Sequence, residues 1–178
     1  MDVARLLIDE AAKGGADAIK FQTFQTNALV TKNAAKAEYQ SRVTGSTETQ
    51  YEMLKKLELT AENYRDLMQY CREKDIQFLS TAFDLHSLEF LLNELKLERL
   101  KVPSGELTNG PLLLKFASSG RKLIVSTGMA TLDEVEIALG VHSGDHAIYP
   151  DCRPEFYSAL EQAFEIGNWD SENVTFKL

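Results

Sequence analysis

Hydrophobic and polar positions follow two periods along this chain, and the periods take turns. Val3, Leu6, Leu7 and Ala11 fall at helical spacing and Gly14-Gly15 closes the run, so the chain opens on a helix. The alternating run Ala18 to Phe24 then predicts a strand. A long polar stretch from Gln25 to about Leu59 follows, with its best helical piece at Glu52 to Leu57; such a stretch is a functional loop or a linker. A helix starts at Thr60 with Tyr64, Leu67, Met68 and Cys71 on one face, and Ile76 to Thr81 predicts a second strand. Asp84 caps a further helix carrying Leu88, Leu91, Leu92 and Leu95. Leu100 to Val102 is a short strand, Pro111 stands near the start of a helix that Gly120 ends, and Leu123 to Val125 is a fourth strand. Thr131 and Glu134 have the spacing of a capping box before Val135 and Leu139.

Strand and helix in alternation imply a parallel sheet with helices outside it. The strands carry Lys20, Gln22 and Lys101 among apolar neighbours. A doubly wound sheet buries both faces, whereas a barrel turns polar residues inward near the strand C-termini. The expected fold is therefore α/β, a (β/α) barrel; the family resemblances given below imply that it is an incomplete (β/α)8 TIM barrel of about four parallel strands with outer helices, followed by a short C-terminal helical tail.

Charge narrows the function. With 27 acidic against 19 basic side chains in 178 residues, the net charge of -8 argues against a nucleic-acid partner, while leaving room for a local anion pocket. Cys71 and Cys152 are too few for a disulfide framework or a zinc knuckle. Asp2, Arg5, Asp9 and Glu10 interrupt any leader-like apolar run, and no stretch is long enough for a membrane span. The expectation is a soluble cytoplasmic protein with no membrane partner.

Lys20 and Gln22 are two apart on one strand and share a face; Lys101 stands similarly in another. A lysine can snorkel from a strand end. Two at C-terminal strand ends point instead to an anionic ligand, because an unpaired buried ammonium is costly. Ser104-Gly105 after Lys101 can offer a hydroxyl and close N–H groups to a phosphate, and Glu106 beside it suits a hydroxyl acceptor or proton-transfer group. Thr81 and Ser126 end two other strands, where each could also cap a helix. His86 is expected to be exposed, and Ser143-Gly144 between His142 and His146 disfavours a metal pair. P-loop, GxGxxG and GxSxG patterns are absent.

Several longer motifs occur in one order: Ile19-Lys20-Phe21-Gln22-Thr23, Leu29 to Asn33, Met53 to Leu59, Phe78 to Phe83, Lys101 to Asn109 and Ser126 to Thr131. Together they resemble the sialic acid synthase family, the N-acetylneuraminate, legionaminate and pseudaminate synthases, over about residues 1–140. The resemblance implies condensation of phosphoenolpyruvate with an N-acetylated amino sugar to a nine-carbon 2-keto acid and phosphate. It implies that Lys20, Thr81, Lys101 and Ser104 hold phosphoenolpyruvate and that Gln22 and Glu106 face the reacting carbons and sugar hydroxyls. Phe83, Gly105 and Ser126 complete the candidate set.

The resemblance also implies a divalent metal, manganese or magnesium, but the family's first-strand signature and metal-binding histidines are absent here, as is its C-terminal antifreeze-like domain. Residues 141–178, with Gly140 to His146 and Tyr149 to Phe156, resemble instead the late part of 7-cyano-7-deazaguanine synthase without its nucleotide loop or zinc cysteines. Two alternatives to a synthase stand beside it: an inactive truncated or chimeric remnant acting as a binding module, and, with less support, queuosine-precursor synthesis. Four strands cut from a barrel leave two open edges, so a marginal fold or a homodimer is expected.

Overall fold

The computed structural model describes residues 1–36 and 48–139. The expected domain boundary at 140/141, the helical tail, His142, His146 and Cys152 lie outside the described residues.

Helix α1 (Asp2–Lys13) precedes strand β1 (Ala18–Thr23). Of the two glycines that end α1, Gly14 stays right-handed as its C-cap and Gly15 takes the left-handed conformation, φ 78°. In the described parts of the polar stretch after β1 there are a short helix α2 (Thr26–Leu29) and, over the expected helical piece, helix α3 (Gln50–Leu57). Polar bonds link its described parts. The Glu58 carboxylate accepts from the Thr26 N–H at 3.0 Å and the Thr26 hydroxyl at 2.5 Å, and the Tyr51 hydroxyl donates to Asn27 at 2.7 Å.

Helix α4 (Ala61–Glu73) leads to β2 (Gln77–Ala82), and Tyr64, Leu67 and Cys71 form its buried stripe. Its N-terminus is fastened reciprocally: Asn63 N–H donates to the Thr60 hydroxyl, and Thr60 N–H donates to the Asn63 side chain, both at 3.2 Å. Thr60→Ala should therefore lower stability by about 1 kcal/mol, read as a small fall in the denaturation midpoint. No change would mean that water caps the helix equally well.

Asp84 caps helix α5 (Leu85–Glu89) by accepting from the Ser87 N–H at 2.7 Å. The helix then widens into a π-helical turn, Phe90–Glu94, which the apolar spacing did not reveal. After β3 (Arg99–Val102) comes a 3-10 turn, Ser104–Glu106, then α6 (Gly110–Ala117) and β4 (Lys122–Val125). Pro111 sits in the first turn of α6, but the helix stops at Ala117, three residues before Gly120, which is left-handed at φ 65°. Helix α7 (Leu132–Leu139) belongs to a second compact unit, Met129–Leu178, separate from Met1–Gly128. Thr131 and Glu134 form the expected capping box at its start.

The sheet is parallel, in the order β1-β2-β3-β4. Alternation along each strand separates two faces. Phe78, Ser80 and Ala82 of β2 with Leu100 and Val102 of β3 are buried on one face, where α4 and α5 pack on β2 and α6 on β3. Ile8, Leu67, Leu88, Leu91, Leu112 and Phe116 complete that core. The Phe21 and Phe78 rings stack at 5.4 Å between β1 and β2. Lys20, Gln22, Leu79, Thr81, Lys101 and Ile124 occupy the other face. Four parallel strands with helices on one side and polar groups on the other make an incomplete (β/α)8 barrel.

Candidate anion site at the strand C-termini

The strand register assembles the site. Gln22 of β1 stands opposite Thr81 of β2, Thr81 opposite Lys101 of β3, and Lys101 opposite Ile124 of β4. Residues in register on neighbouring parallel strands share a face, so Gln22, Thr81 and Lys101 form one row across the sheet. Lys20 lies one row nearer the strand N-termini, opposite Leu79. Ser104, Gly105 and Glu106 follow Lys101 in the 3-10 turn, Phe83 follows β2 directly, and Ser126 follows β4. Eight of the nine candidate residues therefore lie toward or just beyond the C-terminal ends of the strands, whereas Lys20, expected at a strand end, sits in the middle of β1.

The row is short of partners. Thr81 is 1% exposed, and its hydroxyl oxygen has no hydrogen-bond partner. Among the described residues, neither Lys20 nor Lys101 has an acidic side chain within salt-bridge distance. Burial, and then the neighbouring charge of Lys20, hold the Lys101 ammonium below the usual lysine range. A buried hydroxyl without a partner and a destabilised ammonium ask for the same complement, an anion that can also accept a hydrogen bond.

The sign of that shift gives a test. In the window between the lowered value and the ordinary lysine value, the unfolded chain holds the Lys101 proton more firmly than the folded chain does. Stability contributed by this residue therefore rises with pH through that alkaline window, and below it the cost of the buried charge is present in full. Denaturation midpoints measured across the window should rise more in the wild type than in Lys101→Met. Parallel curves would remove the electrostatic account of Lys101.

The opposite face holds the strand ends in place. Thr23 and Ser80 hydroxyls bond at 2.7 Å between β1 and β2, and the buried Tyr64 hydroxyl donates to the Gln22 carbonyl at 2.8 Å. Burial first pushes the Tyr64 phenol up to about 12, so it remains a donor at ordinary pH. Tyr64 was legible only as an apolar position on α4, because the sequence does not show where a hydroxyl ends. Glu106 accepts from the Asn109 side chain at 2.8 Å, and Asn109 in turn caps α6. The carboxylate is thus oriented by the start of the next helix. His86 is exposed, as expected, with Nδ1 3.0 Å from the Gln25 amide nitrogen.

A metal finds no complete ligand set here. Among the described residues no three His, Cys, Asp or Glu side chains group closely enough to hold an ion. The described residues do not fit one. Among the described residues no helix is long and apolar enough to cross a membrane.

Comparison with known proteins adds an independent line. The sequence model of the NeuB family matches residues 7–161. An N,N'-diacetyllegionaminic acid synthase of Campylobacter jejuni is 46% identical over 141 residues, which are 79% of this chain and 42% of that protein. A 7-cyano-7-deazaguanine synthase 2 of Colwellia psychrerythraea is 30% identical over 99 residues, 54% of this chain and 42% of that protein. Among solved structures, an N-acetylneuraminic acid (sialic acid) synthetase of Leptospira borgpetersenii in complex with citrate superposes with a TM-score of 0.65 at 26% identity, covering 94% of this chain and 56% of that one. The chain spans about two fifths of the length of the legionaminic acid synthases it matches.

Proposed function

The chain belongs to the NeuB family, and from that premise we propose that its sheet is the phosphoenolpyruvate-holding half of a sialic acid synthase barrel. The observation that carries this reading is the row of the unpartnered Thr81 hydroxyl and the Lys101 ammonium, with Lys20 close enough for its charge to act on Lys101. Lys20 and Lys101 would take the phosphate and carboxylate, with Ser104 and the Thr81 hydroxyl supplying hydrogen bonds. Phe83, Gly105 and Ser126 would border the ligand. Gln22 and Glu106 would face the reacting carbons and the sugar hydroxyls.

The proposed reaction joins C3 of phosphoenolpyruvate to the aldehyde carbon of an open-chain N-acetylated amino sugar. Water adds at C2 and the tetrahedral intermediate expels phosphate, giving a 2-keto sugar acid. Negative charge develops on the aldehyde oxygen and remains on the departing phosphate. A fixed pair of ammonium groups on a partly desolvated face is suited to hold that charge without a covalent nucleophile. The divalent metal expected of the family belongs to this proposal as a requirement of the whole enzyme, not of the residues described.

A second reading keeps the binding without the turnover. It starts from the described strands, which wall the site on one side. Two measurements separate the readings. The purified chain is mixed with phosphoenolpyruvate, N-acetylmannosamine and manganese, and phosphate is assayed; release supports a synthase, and none refutes independent turnover. Phosphoenolpyruvate binding is then titrated calorimetrically. Binding that weakens in both Lys20→Ala and Lys101→Ala supports the half-site, and binding unchanged in both would end the phosphate assignment.

A further inference from the structure

A cavity of about 630 Å3 opens at the N-terminal ends of β2 and β3, the two inner strands of the order. In a barrel the catalytic loops gather at the other end, and this end ordinarily serves stability. One wall is a face of α4, on which Arg65, Met68, Gln69 and Arg72 follow at helical spacing. The other is the turn that leads from the π-helical segment into β3, Glu94 to Arg99. Between them Ile76, Phe78, Leu95 and Leu97 are 4–6% exposed and make an apolar floor.

The rim of this cavity is cationic in a chain whose net charge is -8. Arg65 and Glu94 pair across it and cancel. That leaves Arg72, Lys96 and Arg99 against one acid, Glu98. Among the described residues, none of these three cations has an acidic side chain within salt-bridge distance. Arg99 reaches the side-chain oxygen of Gln77 at 3.4 Å, too long for a strong bond. Lys96 also stands against backbone preference. It follows the C-cap of the π-helical turn with φ 53°, in the left-handed region that glycine takes at low cost. Asp75 closes α4 in the same way at φ 54°, but aspartate tolerates that conformation and lysine does not. A side chain standing where its absence would cost less points to a use for its ammonium at the cavity's mouth.

We propose that this cavity binds a small organic anion, a flat apolar body carrying a phosphate or a carboxylate. The floor covers the body. Arg72 and Arg99 take the anionic group from two walls, in the forked geometry that a guanidinium offers, and Lys96 adds a point charge beside them. The volume suits a ligand of that kind, as does an apolar lining with a few convergent cations. Nothing in the inference uses Lys20, Thr81 or Lys101, so it stands or falls apart from the phosphoenolpyruvate reading.

Fluorescence titration of the whole 178-residue chain with naphthyl phosphate and with naphthoate tests this, because the two probes share a body and differ in the anion. At least one should bind saturably with a Kd below about 1 mM. Inorganic phosphate, which has no body to bury, should compete at least about tenfold more weakly. Arg72→Gln and Arg99→Gln should each weaken the better probe about tenfold or more. Lys96→Gly should weaken it too, while raising the thermal midpoint of the empty chain by relieving the left-handed backbone. Lys101→Met should leave probe binding unchanged. The proposal is overturned by an absence of saturable binding, by inorganic phosphate binding as well as the probes, or by an Arg72→Gln/Arg99→Gln double variant that binds like the wild type. A Lys96→Gly chain that loses stability and binds as before also overturns it, since Lys96 would then be structural. So does loss of binding in Lys101→Met, because the probe would then sit in the row at the other end of the strands.

Discussion

If the proposed site is right, replacing Lys101 by methionine should abolish most phosphoenolpyruvate binding and leave the ligand-free chain as stable as before, or more so. These opposite signs follow from one fact. The ammonium is partly desolvated and feels Lys20, so its charge is a cost to the empty fold. Methionine keeps the length of the side chain and removes that cost. Against an anion the same charge supplies a charge-assisted hydrogen bond of about 1.5–3 kcal/mol, or roughly 10- to 150-fold in affinity. Calorimetric titration beside thermal denaturation reads both quantities on one sample. If binding and stability fell together, Lys101 would be a structural lysine and the site would lose its centre.

Leu100 is the adjoining residue on β3, and its replacement by alanine should do the reverse. It is fully buried on the helix side of the sheet, one position from Lys101 on the other. Deleting a buried leucine costs about 2–5 kcal/mol through lost transfer energy and the cavity left behind. A domain of this kind has only about 5–15 kcal/mol in total. The expected result is a large fall in the urea midpoint, with residual folded chain still binding phosphoenolpyruvate at close to its original affinity. A shift below about 1 kcal/mol would mean that the site collapses around the cavity or that β3 contributes little to the core. Leu100 and Lys101 are neighbours in sequence and opposites in role, and this pair of variants separates holding the sheet from using it.

Much of this was legible beforehand, for identifiable reasons. Each strand carries its own period, so Lys20 with Gln22 and the position of Lys101 could be placed on one face without coordinates. Thr60, Asp84 and Thr131 announce helix starts because a cap is a local bond, completed within three residues. What could not be read depends on partners distant in the chain. The bond from Tyr64 to the Gln22 carbonyl and the bond between Thr23 and Ser80 cross 42 and 57 positions. That Thr26 and Glu58, near the two ends of the polar stretch, meet was not legible, because hydrogen bonds to one carboxylate rather than an apolar period join them. Pairing of Gln22, Thr81 and Lys101 likewise needed the register, which no single strand contains.

The π-helical turn at Phe90–Glu94 has a consequence for the site, although it lies on the far side of the sheet. Its closing bond runs from Leu95 N–H to the Phe90 carbonyl at 3.1 Å, so the loop spans one residue more than an α turn would. That extra residue sets the rotational phase of everything after it. Deleting Asn93 would let the turn relax to α and swing the following chain by about 100°, while the leucines at 91, 95 and 97 compete to keep their buried places. Either the helix holds its seat and β3 enters the sheet one residue out of step, or the strand holds and the helix is pulled from its groove. In the first case Leu100 takes the concave face and Lys101 is driven into the core. One widened turn thus acts as the spacer that keeps a lysine on the side of the sheet where its charge can meet a ligand.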